Sequence, residues 1–207
     1  MNLLLSYNWL KEFVQTHEKP ESLAWLLSLS GPSVERLKNL GKLFDGMVVG
    51  VIKELKSHPQ ADRLRLAIVD IGGRTVAIVC GGTNLALNQK VFVALPGAKV
   101  RWHGEGDLVT LAAMKIRGVE SFGMICAPSE VGFEKLQGAE KEIWDLTKLT
   151  DARAGTPIAQ ALDMDDTVFE IEVTSNRPDA MSVVGVAREA AVITKSKFLY
   201  KEQNYRG

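Results

Sequence analysis

Few residues in this chain are placed to do chemistry. His58 and Asp62 stand four apart in Ser57-His58-Pro59-Gln60-Ala61-Asp62-Arg63-Leu64, a spacing that allows an acid–base pair. No nucleophile accompanies them. Two other readings stay open. Asp62 can cap the loop by accepting from backbone amides, or His58 can contact a base or a phosphate. Cys80 lies on an alternating apolar face and Cys126 ends a hydrophobic strand, so both read as small buried hydrophobes rather than nucleophiles. The two cysteines and three histidines are far apart and give no metal-ligand spacing. Gly72-Gly73 and Gly81-Gly82 lack the following Lys-Ser/Thr of a phosphate-binding loop, and turn geometry accounts for them.

The basic residues form a pattern of their own. Lys115 and Arg117 flank Ile116, and strand spacing sets both on one outward face, with Lys53 and Arg74 extending the patch. Such a face is either simply solvated or a phosphate contact. Over residues 46–134, ten Lys and Arg stand against eight Asp and Glu. So small an excess predicts weak, salt-sensitive phosphate binding. Stacking platforms are few: Phe92, Trp102, Phe122 and Phe133. Phe92 is out of phase with Val91 and Val93, so it either faces outward to stack a base or packs on a flanking domain.

Composition narrows the class. Of 207 residues, 46% are hydrophobic, and 25 Lys and Arg balance 25 Asp and Glu. That balance predicts a globular fold and excludes disorder and a strongly basic nucleic-acid module, though not a local basic face. Two cysteines make no disulfide framework, which points to a reducing compartment. The start, Met1-Asn-Leu-Leu-Leu, lacks a basic region, and no run approaches the ~20 apolar residues that span a bilayer. A cytoplasmic protein is expected.

Three stretches must position these groups. The first forty residues read as helical: Ser6 caps a stripe of Trp9, Leu10, Phe13 and Val14, and Pro20 opens a helix carrying Leu23, Leu26 and Leu27. From Met47 the period becomes two, through Leu64–Ile68, Val76–Cys80 and Val91–Leu95 to shorter candidates at 108–112, 114–117 and 122–125. Many short strands split by Gly and Asn turns predict a small closed β-barrel. After about 135 come a short helix from Pro157, a strand over 168–173 and a helix over 183–193. Neither flank buries a core alone, so each needs the other. The expected fold is α+β: a β-barrel inserted into a small discontinuous, helix-rich α+β domain. Its parts are 1–40, the barrel domain at 41–148, the second flank at 149–200 and a tail at 201–207.

Three runs carry a resemblance. They are Ser57–Leu64, Ile78-Val79-Cys80-Gly81-Gly82-Thr83-Asn84, and Lys115-Ile116-Arg117-Gly118-Val119-Glu120-Ser121-Phe122-Gly123-Met124-Ile125-Cys126. In this order and spacing they resemble the tRNA-binding OB-fold module of aminoacyl-tRNA synthetase subunits and free-standing tRNA-binding proteins. Gln60, Gly82 and Ile125 stand where that module usually has Asn, Ala and Leu. The flanks, Ser6–Val14, Gly31–Glu35 and Glu172–Asp179 followed by Ser182, resemble the start of the bacterial phenylalanyl-tRNA synthetase β subunit. Ala180 and Met181 depart from the usual Cys and Leu there.

The resemblance implies an N-terminal fragment of that longer subunit, without its editing, α-subunit-holding and anticodon-gripping regions. It implies an α2β2 tetramer whose α subunit holds the active site. ATP and Mg2+ serve the full enzyme, with no cofactor in this stretch, so the fragment is expected to be non-catalytic. The implied partners are tRNA, the α subunit and the rest of the β subunit, with no DNA and no membrane. The implied RNA-binding residues are His58, Asp62, Arg63, Asn84, Lys115, Arg117 and Ser121, with Gly81, Gly82, Gly118 and Gly123 letting the backbone turn or approach. The alternatives are a scaffold domain without RNA contact and a free-standing tRNA-binding protein.

Overall fold

The computed structural model describes all residues except Gln137, Glu140 and 201–207, so the expected tail lies outside the described residues. The fold is mixed α/β, built on antiparallel sheets with few helices. It divides into two compact units, one of Met1–Leu40 with the stretch from Asp165, the other Gly41–Met164.

The first unit opens with β1 (Asn2–Ser6), α1 (Tyr7–Leu10), α2 (Pro20–Ser30) and β2 (Ser33–Asn39). Ser6 caps α1, its Oγ accepting from the Trp9 N–H at 3.0 Å. Pro20 takes the first position of α2, where an N–H has no partner to lose. The two strands correct the all-helical expectation for residues 1–40. In β1 the run Leu3-Leu4-Leu5 conceals a period of two, for Leu5 is buried while Leu4 is 68% exposed. β2 is mostly polar and exposed, so only its pairing makes it a strand.

The second unit is organised by β3 (Met47–His58), β4 (Ala61–Asp70), β5 (Thr75–Cys80) and β6 (Lys90–Ala94). The chain continues through the paired β7 (Lys99–Arg101) and β8 (Leu108–Thr110), the paired β9 (Met114–Ile116) and β10 (Val119–Ser121), and β11 (Met124–Ile125). The main sheet is antiparallel with order β11-β6-β3-β4-β5. Both of its faces are covered. Ile52, Ala67, Val69, Ile78, Val91 and Val93 belong to one core, and Phe44, Met47, Val49, Phe92, Trp144 and Ile158 to another. That is why Met47–Ile52 is continuously apolar. Phe92 is therefore not an outward platform. It is fully buried and stacks on Trp144 at 5.4 Å, with 8° between the planes.

One segment joins the two sides of the sheet. The Phe122 N–H donates to Ala77 O of β5 at 2.8 Å, and two residues later Met124 pairs with Ala94 of β6. The unit runs on to Met164, past the boundary expected at 148. Gly155 N–H donates to Val49 O at 2.8 Å, Val49 N–H donates to Thr156 O at 2.9 Å, and α3 (Ile158–Ala161) buries Ile158 beside Phe44 and Met47.

The chain then returns to the first unit. β12 (Thr167–Glu172) lies between β1 and β2, pairing Phe169 with Leu5 on one side and Leu37 on the other. α4 (Val183–Ile193) is capped by Ser182, whose Oγ accepts from Gly185 N–H at 3.1 Å. Leu5, Leu10, Leu23, Leu27, Phe169, Ile171, Val186 and Ala190 form the core. A three-stranded sheet, rather than helices alone, is its frame.

Candidate nucleic-acid interface

Two hairpin tips meet in the second unit. His58 ends β3 and is 5% exposed. The Gln60 N–H donates to its Nδ1 at 3.1 Å, and its Nε2 lies 3.1 Å from Ile116 O at the end of β9. Between Ile116 and its partner Val119, the β9–β10 turn has only two residues, Arg117 at φ 45° and Gly118 at φ 82°. Positive φ at both positions is what a tight hairpin of this twist requires, and Gly118 adopts it freely. Arg117 thus sits in the turn rather than on a strand face with Lys115. Its Nη1 makes a long contact, 3.4 Å, to Gln60 O.

The charged groups around these tips face solvent. Asp62, Arg63, Lys115 and Arg117 are all exposed. Among the described residues, the side chains of Asp62, Arg63 and Lys115 have no hydrogen bond or ion pair. Glu120 stands directly across the hairpin from Lys115, so one carboxylate offsets two cations there. Arg65 is exposed as well, and sequence reasoning passed over it. The signal was the alternation Arg63-Leu64-Arg65-Leu66, in which the leucines are half-buried.

Other candidates face inward. Asn84 accepts from Ile143 N–H at 2.9 Å and donates to Ile143 O at 3.0 Å. Ser121 is 1% exposed; its Oγ accepts from Val79 N–H at 3.0 Å and donates to Gly123 O at 3.1 Å. At Gly82 a Cβ would lie 2.7 Å from Ile143 Cγ2, so an alanine there needs the Ile143 side chain to shift. At Gly81 a Cβ would meet only Leu64, at 3.4 Å. His58 and Asp62 form no acid–base pair, because both imidazole nitrogens are engaged by backbone groups.

Burial pushes the Cys80 thiol up to about 11 and raises Cys126 likewise, so neither is a ready nucleophile. Among the described residues no three His, Cys, Asp or Glu side chains gather as a metal site. Phe133 packs on Trp144 at 4.9 Å, and Phe122 lies under the Arg74 guanidinium at 5.0 Å. Trp102, 43% exposed, is the accessible ring of the four considered for stacking. The arrangement can hold anions with exposed cations on braced backbone, with little base stacking.

A family model described as "Putative tRNA binding domain" matches residues 47–156. The phenylalanine–tRNA ligase β subunit of Geobacter metallireducens is 42% identical over 189 residues, covering 91% of this chain and 22% of that protein. That of Parasynechococcus marenigrum is 40% identical over 195 residues, covering 93% and 23%. The chain thus spans under a quarter of the length of these relatives. A solved MetRS-related protein from Pyrococcus horikoshii is similar at a TM-score of 0.37 and 20% identity, over 54% of this chain and 87% of that one.

Proposed function

The chain belongs to the family described as "Putative tRNA binding domain", and from that premise we propose that Gly41–Met164 is an OB-fold barrel that binds tRNA through its phosphate backbone. Arg63, Arg65, Lys115 and Arg117 are the contacting cations, with the exposed Asp62 carboxylate beside them. His58 and Ser121 shape that face from within, together with Gly118 and Gly123, while Asn84 and Gly82 anchor the Ile143 segment.

The surrounding protein is read as a phenylalanine–tRNA ligase β subunit, to which the chain contributes an accessory region without chemistry of its own. Its expected partners are the rest of that subunit and the α subunit of an α2β2 assembly, in the cytoplasm. ATP and Mg2+ belong to that assembly outside this chain. Neither DNA nor a membrane is a partner in this reading. Among the described residues no helix is long and apolar enough to cross a membrane.

The observation that carries the proposal is the exposure of Arg63 on β4 and Lys115 on β9, with no hydrogen bond or ion pair among the described residues, beside two turns braced against each other. Fluorescence anisotropy with tRNA at low and physiological salt tests it. Lys115→Ala with Arg117→Ala should weaken binding at least tenfold and flatten its salt dependence, about 1.5–3 kcal/mol in all for charged contacts. A second reading, a scaffold without RNA contact, draws support from Asn84 and Ser121, which are satisfied internally, and from the small charge excess. Unchanged affinity in the double variant would favour it.

A further inference from the structure

We propose that His58 is a positioning residue, one imidazole tautomer that clamps the β9–β10 hairpin to the β3–β4 turn and so fixes where Lys115 and Arg117 meet phosphates. The inference rests on the tRNA-binding reading of that face. Its starting point is donor and acceptor chemistry. A backbone N–H can only donate, so His58 Nδ1 must turn a lone pair to Gln60 N at 3.1 Å. A carbonyl can only accept, so Nε2 must carry the hydrogen toward Ile116 O at 3.1 Å. The Nε2–H tautomer satisfies both bonds and the other satisfies neither. With the ring 5% exposed, water competes little for either position.

The clamp has work to do because the hairpin is slight. Each strand has three residues, and two-stranded ribbons of that size are marginal alone. Its root is tied by Ser121 to Val79 N and by Phe122 N to Ala77 O. Its far end is tied by His58. The clamped atom, Ile116 O, belongs to the residue between Lys115 and Arg117, so loss of that bond frees both cations together. Arg117 also reaches Gln60 O, on the very residue whose N–H the imidazole holds. Fixing both groups before binding removes an ordering penalty that a loose hairpin would pay on contact.

The test uses the whole chain, with His58→Ala, His58→Gln and His58→Asn. Glutamine sets an amide N–H near the place of Nε2, and asparagine sets a carbonyl near that of Nδ1. Nitrogen-15 spectra of the wild-type ring should show Nε2 protonated and Nδ1 bare. His58→Ala should speed amide exchange across 115–121 and lower tRNA affinity about tenfold. His58→Gln should recover most of both effects, and His58→Asn should not. Losses in His58→Ala and Arg117→Ala should be non-additive, because one acts through the other.

The opposite tautomer, unchanged hairpin exchange, or additive losses that mark a direct contact would each overturn the proposal. If His58→Ala fails to fold, the contrast between Gln and Asn decides. A wild-type chain that binds no tRNA, while His58→Ala still loosens the hairpin, would sink the tRNA reading and with it the role given to His58.

Discussion

Gly123 makes the step from β10 to β11, and two features bar any other residue. Its φ is +103°, and a Cβ there would stand 2.5 Å from Ala94 O. Gly123→Ala should cost about 1–3 kcal/mol from backbone strain alone, read as a lower urea midpoint at unchanged slope. Glu130 carries a second prediction. Burial raises its carboxyl above the ordinary 4.5, only partly offset by the Ala127 N–H it accepts at 2.7 Å. A carboxyl raised on folding favours the protonated state, so stability falls as pH climbs from 4.5 through the raised value. Glu130→Gln keeps an acceptor for Ala127 without a buried charge. It should flatten thermal stability across that pH range and leave it equal or higher at pH 7. The inverse result would mean that the carboxylate is better paired than its burial suggests.

At the scale of elements, polar residues of the motif runs are mostly fasteners between distant segments. Asn84 holds Ile143 by both backbone groups. Asn84→Ala should cost about 1–3 kcal/mol by leaving them unpaired, yet leave tRNA affinity unchanged where the variant is folded. A specific affinity loss would instead make Asn84 a contact. The turn before α4 behaves similarly. Arg177 bridges Asp179, at 3.0 and 2.9 Å, and Glu189 on α4 at 2.6 Å. Hydrogen bonds from Arg177 hold the Asp179 carboxyl below its ordinary 3.8. The resulting stabilisation is present above that pH and lost as pH falls through the lowered value. Arg177→Met should therefore differ from the wild type at pH 7 and converge with it in strong acid, by thermal melting; a gap that persists would point to packing.

The strands, turns and runs around Asn84 and Ser121 were legible because polar residues wedged between alternating apolar ones announce themselves. Whether each faces solvent or its own backbone was not, since the deciding partner lies 59 residues away for Asn84, 58 for His58 and 42 for Ser121. β1 and β2 escaped for the same reason. Their strand character comes from β12, which the intervening Gly41–Met164 unit separates from them in the chain.

For the molecule as a whole, charge decides between binding and scaffolding. The chain is neutral, and its second unit has so small a basic excess that long-range attraction to RNA is slight. Affinity must then come from local contacts, which bounds its salt dependence. Four exposed cations, Arg63, Arg65, Lys115 and Arg117, displace at most four counterions if each meets one phosphate. The slope of log affinity against log salt should then be about −3 to −3.6, roughly a hundredfold loss from 50 to 200 mM salt. Each alanine substitution among the four should lower the slope by about 0.7–0.9, because one fewer counterion is released. Asp62 and Glu120 lie beside these cations and oppose the phosphates, so Glu120→Gln should strengthen binding while leaving the slope nearly unchanged. Titrations across that salt range separate the cases. A steeper slope that survives all four substitutions would place the RNA on other cations of the chain. A slope near zero with retained affinity would mean that hydrogen bonds or Trp102 stacking hold the ligand. No binding at 50 mM salt would leave the second unit a scaffold.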